Sequence, residues 1–206
     1  MPPASTLKLL TTLVALDRLG PNHRGFTDLL TGAALHGDVL AGDLVAARSV
    51  RAWLAQHQIP AAGLVLDNGS GLSRSERISP HQLVLLLQAA QAGRWALELL
   101  MSLPVAGVAG VAGVNGSMRD RLKTSPAAGW ARLKSGSLKN AVAVAGYVPD
   151  PQGRLWALAA LVHRDQALAA RPAPDALVVW VASGGMAARA TGRQRVDPSP
   201  PGTLAR

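Results

Sequence analysis

Two short stretches carry residue types that can make and break acyl bonds. Ser5-Thr6-Leu7-Lys8 sets a hydroxyl and an amine three residues apart, which on a helix places them one turn apart on the same face. A serine alcohol is a poor nucleophile until a base takes its proton, and a desolvated lysine with a lowered pKa is such a base. A serine at a helix N-terminus also stands beside unpaired backbone N–H groups. These favour developing negative charge and can form half of an oxyanion hole. The second stretch is Lys134-Ser135-Gly136, on a predicted strand. There the lysine and hydroxyl can hold a substrate carboxylate, and the glycine lets an extended backbone lie against the strand edge.

The two signals differ in weight. With 13 Ser and 4 Lys in the chain, about 0.25 matches to S-x-x-K are expected by chance. A capping serine beside a solvated lysine describes that motif equally well. A Lys-Ser/Thr-Gly triplet is expected only about 0.04 times, so it is the sharper of the two. Together they use two of the four lysines.

Other chemistries find less support. His23, His36, His57, His81 and His163 show no metal-ligand spacing and no H-E-x-x-H pattern, so no metal or other cofactor is expected. The absence of cysteine excludes disulfides, thiolate metal sites and cysteine nucleophiles. The formal charge of +9 invites a nucleic-acid reading, but the arginines are scattered singly and no aromatic-studded basic strand accompanies them. A solvated basic surface is the expectation, with no nucleic-acid partner. The longest apolar run, Leu83 to Leu87, is too short to span a bilayer. MPPASTLK opens the chain without a signal-peptide pattern, which places it in the cytoplasm if Met1 is the true start.

The elements that must position these residues read as follows. Helical spacing of Leu7, Leu10, Leu13, Val14 and Leu16 predicts a helix over Ser5–Leu19, stopped by Gly20 and Pro21. Residues 22–48 read as short strands and turns, and helices are expected over Ser49–Gln58, from Ser79-Pro80 to Ala92, and over Trp95–Ser102. Leu64–Leu66 reads as a short strand before a turn-rich Asp67–Arg74. Residues 105–114 are a low-complexity loop. Strands over Trp130–Lys134, Ala141–Val148 and Leu155–His163, joined by Lys139-Asn140 and Asp150–Gly153, predict an antiparallel meander. A last helix spans Asp175–Ala182. The fold class is α/β of the α+β type: an antiparallel sheet flanked by helices, in one domain over 1–183, with a disordered tail over 184–206.

Three segments carry a specific resemblance. Pro3–Pro21 (PASTLKLLTTLVALDRLGP) resembles the nucleophile helix of D-alanyl-D-alanine carboxypeptidases of the class-C low-molecular-mass penicillin-binding proteins. Leu64–Pro80 (LVLDNGSGLSRSERISP) resembles their D-x-S-G-L-S-R segment, and Gly116–Val148 resembles the stretch with their Lys-Thr-Gly box. The resemblance implies a DD-peptidase/β-lactamase-like fold and acyl transfer on peptidoglycan stem peptides, without a cofactor. Ser5 would be the nucleophile and Lys8 its base. Lys134 and Ser135 would anchor the terminal carboxylate beside Gly136, and the N–H groups of Ser5 and Ser137 would cradle the oxyanion. Penicillins and other β-lactams would acylate Ser5 by mimicking the substrate, and a periplasmic or cell-envelope location is implied. Asp67, Ser70, Gly71 and Arg74 would brace the sheet against the helices. A β-lactamase, with Glu76 or Glu98 as deacylating base, is a lesser alternative.

The chain departs from the family at three places. No serine is followed two positions later by Asn, so the family's S-x-N motif is missing. Between Gly42–Val45 and Arg48–Val50 the family's long excursion, with its extra domains, is skipped. If Met1 is the true start, the family's leader and first sheet strands are expected to be missing as well. Losing one proton-transfer group commonly costs about two to four decades in rate, so residual or no carboxypeptidase activity is expected. A non-catalytic peptidoglycan- or penicillin-binding remnant is the alternative.

Overall fold

Pro2 and Pro3 are buried and lead into a 3₁₀ turn, Ala4–Leu7, which continues directly as α1 (Lys8–Leu19). Leu9, Leu10, Leu13 and Val14 form the buried stripe of α1. The computed structural model describes residues 1–23, 35–36, 39–40, 45–67, 69, 71–108 and 117–185. Within the region read as strands and turns, β1 (Leu35–His36) and β2 (Val39–Leu40) form a short antiparallel pair, and most of the rest lies outside the described residues. α2 (Val45–Gln56) begins four residues earlier than its sequence suggested. α3 (Pro80–Ala92) keeps its predicted limits because a side-chain cap opens it and Gly93 closes it. The Ser79 hydroxyl accepts the Gln82 N–H at 3.0 Å while Gln82 Oε1 accepts the Ser79 N–H at 2.8 Å, a reciprocal cap. α4 (Ala96–Ser102) follows. The predicted strand at Leu64–Leu66 reduces to one bridge, Val65 to Arg77.

β3 (Arg132–Leu138), β4 (Ala141–Pro149) and β5 (Leu155–His163) form an antiparallel sheet in the order β3-β4-β5. β4 and β5 agree with the sequence reading to within a residue, but β3 does not. It was expected over Trp130–Lys134, and it starts at Arg132 and runs through the Lys-Ser-Gly box to Leu138. The apolar length of β4 supplies pairing partners that far, whereas Trp130 is 73% exposed in the preceding turn. α5 (Pro172–Ala182) starts three residues before its predicted first residue. Of the low-complexity stretch, Val105 bridges Arg132 and residues 109–116 lie outside the described residues; so does the predicted tail beyond Gly185. No helix among the described residues is long and apolar enough to cross a membrane.

Pleating divides the sheet's side chains between two layers. Ala145 and Tyr147, joined by Ala157, Ala159 and Leu161, pack against the leucines of α1 and α3 and Trp53 of α2. Tyr147 Oη donates to the Leu87 carbonyl at 2.7 Å, which ties β4 to α3. On the other face Leu133, Val144, Val148 and Leu158 pack against Val178, Val181 and Ala182 of α5, and against Met118, Ala127 and Ala131. An Arg121–Asp175 ion pair fastens the 117–131 segment to α5.

Candidate active site

The start of the first helix explains how Ser5 meets Lys8. In 3₁₀ geometry, with three residues per turn, side chains at i and i+3 eclipse one another. Lys8 Nζ accordingly donates a long hydrogen bond, 3.4 Å, to Ser5 Oγ. The turn is pinned by Thr6, whose N–H and hydroxyl both donate to the Pro3 carbonyl, at 3.2 and 2.6 Å. Ala4 takes φ 47, a left-handed conformation that is unfavourable for a residue with a side chain.

β3 crosses directly behind this turn. A Cβ built on Gly136 would lie 2.8 Å from the Pro3 carbonyl and 3.0 Å from the Ser5 nitrogen, so only glycine lets the strand approach so closely. By strand alternation Lys134 shares that face with Gly136. Its pKa is lowered, first by burial and then by the positive charge of Lys8. The Lys8 and Lys134 amino groups therefore both act on the region next to the Ser5 hydroxyl.

Among the described residues, the edge of β3 away from β4 is only partly covered. Leu133 N–H donates to the Pro104 carbonyl and Ala106 N–H donates to the Ala131 carbonyl, each at 2.9 Å. By the two-residue period of a strand, the next main-chain groups turned to that side belong to Ser135 and Ser137. Lys134 Nζ already donates to the Ser135 carbonyl at 2.9 Å. Ser135 itself is buried, and Ser137 is exposed. All six residues named from the sequence, Ser5, Lys8, Lys134, Ser135, Gly136 and Ser137, thus lie in the 3₁₀ turn, the head of α1 and the strand behind them.

Asp67, Ser70, Gly71 and Arg74 were expected to brace the sheet against the helices. Of these, Gly71 presses on the turn that carries Ser5. Gly71 (φ 72) lies so close that a Cβ there would be 2.6 Å from the Ala4 carbonyl and 3.0 Å from Ser5 Cα. Ser70 lies outside the described residues. Behind Gly71, Glu76 is fully buried, and its Oε1 accepts the Gly69 N–H at 3.0 Å. Its Oε2 has no hydrogen-bond partner among the described residues. Burial raises the Glu76 pKa; the Gly69 N–H opposes the rise, the charge of Asp67 adds to it, and the charge of Lys8 opposes it. Ser117 was not singled out by the sequence reading, yet its hydroxyl lies 2.5 Å from that of Ser135. No local signal marks it, because the contact joins residues 18 apart.

A helix-borne Ser-x-x-Lys facing a Lys-Ser-Gly edge strand, in helices packed on an antiparallel sheet, is the arrangement of the serine DD-peptidase and penicillin-binding class. Solved structures share the fold. Penicillin binding protein 4 from Haemophilus influenzae superposes with a TM-score of 0.52 at 26% identity, over 58% of this chain and 25% of that one. The same protein complexed with a β-lactam gives 0.55 at 22% identity, over 64% and 32%. The chain belongs to the D-Ala-D-Ala carboxypeptidase 3 (S13) family, whose sequence profile matches residues 1–49 and 45–183. The two matched segments meet at 45–49, where the skipped excursion was read from the sequence. A D-alanyl-D-alanine carboxypeptidase of Actinomadura sp. (strain R39) is 38% identical over 97 residues, 47% of this chain and 18% of the relative. Carboxypeptidase DacB of Mycolicibacterium smegmatis is 35% identical over 137 residues, 63% and 28% respectively. The chain spans less than a third of either relative.

Proposed function

We propose that this chain carries the acyl-transfer site of a serine-type D-Ala-D-Ala carboxypeptidase that acts on peptidoglycan stem peptides in the cell envelope. Ser5 Oγ attacks the carbonyl carbon between the two terminal D-alanines while its proton passes to Lys8 Nζ. The carbonyl electrons move onto oxygen, which accepts hydrogen bonds from the N–H groups of Ser5 and Ser137. Collapse breaks the C–N bond and releases D-alanine, whose amine takes up a proton. Water then hydrolyses the acyl-Ser5 ester and restores the alcohol. Lys134 and Ser135 hold the terminal carboxylate, and the peptide lies along the open edge of β3 as an added strand. A β-lactam presents a comparable carbonyl and acylates the same hydroxyl.

One observation carries this reading: Lys8 Nζ lies 3.4 Å from Ser5 Oγ, where as the free amine it can take the hydroxyl proton, and Gly136 of β3 packs against the same turn. Fluorescent penicillin tests it. Covalent labelling of the chain is expected, lost in Ser5→Ala and slowed about two to four decades in Lys8→Ala. A folded chain that takes no label overturns the reading. The missing S-x-N serine favours a second reading, binding without efficient turnover. Labelling at Ser5 without D-alanine release from a stem-peptide analogue selects it.

A further inference from the structure

The contact between Ser117 and Ser135 has no place in the reaction as written. Ser135 is 8% exposed and fixed in β3 by its pairing with Val144. Ser117 is exposed but firmly held, because Met118 next to it is fully buried and its carbonyl accepts the N–H of Gly107 at 3.0 Å and of Arg121 at 3.2 Å. Arg121 is in turn paired with Asp175. Two immobilised hydroxyls therefore meet at 2.5 Å, one at the rim and one inside.

Each hydroxyl has one proton and two lone pairs. If Ser135 donates to Ser117, its proton is unavailable to a ligand. If Ser117 donates, the Ser135 proton is left for a ligand acceptor. A carboxylate accepts hydrogen bonds and has none to donate, so it selects the second arrangement. Hydrogen bonds in a chain polarise one another, and a bond to a charged acceptor gains most. We propose that Ser117 is a positioning residue, a donor that turns the Ser135 proton outward and gives this site its preference for a ligand ending in a free carboxylate over one ending in an amide. The inference rests on the carboxylate-anchoring role given to Ser135 above.

Equilibrium binding tests it, using the full chain carrying Ser5→Ala so that acylation does not interfere. The probes are N-acetyl-D-alanyl-D-alanine and its C-terminal carboxamide. Adding Ser117→Ala is expected to weaken binding of the carboxylate about fivefold, the size of one net hydrogen bond, and to leave the carboxamide unchanged. Ser117→Thr, which keeps the hydroxyl, is expected to restore the carboxylate affinity. Equal weakening for both probes, or none for either, overturns the inference. A chain that binds neither probe overturns it together with the carboxylate-anchoring role. Failure of fluorescent penicillin to label the parent, with the Ser117-dependent preference intact, removes the acyl-transfer reading and leaves this one standing.

Discussion

The two faces of the sheet are built differently. One is covered by long leucine side chains from α1 and α3, with Trp53 of α2 among them, while the other meets α5 through valines and alanines and is fastened by the Arg121–Asp175 pair. The first layer delivers Ser5 and Lys8; the second holds Met118 and, beside it, Ser117. β3 is the element both layers touch, and its alternation gives Lys134 and Gly136 to one and Ser135 to the other. The nucleophile pair and one proposed anchor, Lys134, thus depend on one set of packing contacts, and the other anchor, Ser135, on a second that meets it at one strand.

The two layers are uncoupled most severely where they touch. Gly136→Ala puts a methyl group 2.8 Å from the Pro3 carbonyl and 3.0 Å from the Ser5 nitrogen, which pushes the nucleophile turn off β3. Displacements of about 1 Å cost on the order of a hundredfold in such sites. Penicillin labelling should slow by that amount or more, and a rate near the parent's would show that the strand and turn give way independently. Next in size is stability. Leu10→Ala, in the leucine layer, should destabilise by about 2–5 kcal/mol, and Val178→Ala, in the α5 layer, by roughly 1–3 kcal/mol. Denaturant unfolding measures both. If Val178→Ala proves the costlier, the α5 face, and not the leucine layer, dominates the fold.

The smallest effect separates two buried carboxylates. Asp150 lies in the β4–β5 turn. Burial would raise its pKa, but Trp156 Nε1, Arg154 Nε and the N–H groups of Arg154 and Gln152 hold it down to about 2. Its contribution to stability is present above the ordinary carboxylate value of 3.8 and lost as pH falls toward 2. Glu76 behaves oppositely. With its folded pKa above the ordinary 4.5, its contribution is present below that value and lost as pH rises through the raised one. Glu76→Gln should therefore melt higher than the parent at neutral pH, with the gap closing on acidification below 4.5. A gap that widens in acid would mean that Glu76 is stabilised as the anion.

How much of this was legible depends on how local the cause is. α3 could be read because Ser79-Pro80 and Gly93 punctuate it, and β4 and β5 because their apolar runs are bounded by turns. β3 was started two residues early and ended at Lys134, because Trp130–Leu133 reads as strand and nothing local shows how far past the lysine the strand runs. Only pairing with β4, seven partners from Arg132 to Leu138, fixes its length. The six site residues were found because motifs name them. Ser117 was missed and Glu76 was named only under the lesser β-lactamase alternative, since a hydroxyl opposite Ser135 and a buried acid bonded to the Gly69 N–H arise from contacts that no spacing encodes.

Ala4 carries a last consequence. Its backbone sits in a basin that a glycine would occupy at less cost, and it stays there because Pro3, Gly71 and Gly136 crowd around it. Loss of that crowding at Gly71 or Gly136 would let the strained residue return to an ordinary basin and carry the adjacent Ser5 out of line. Reactivity toward penicillin would then fade while the molecule as a whole remains folded.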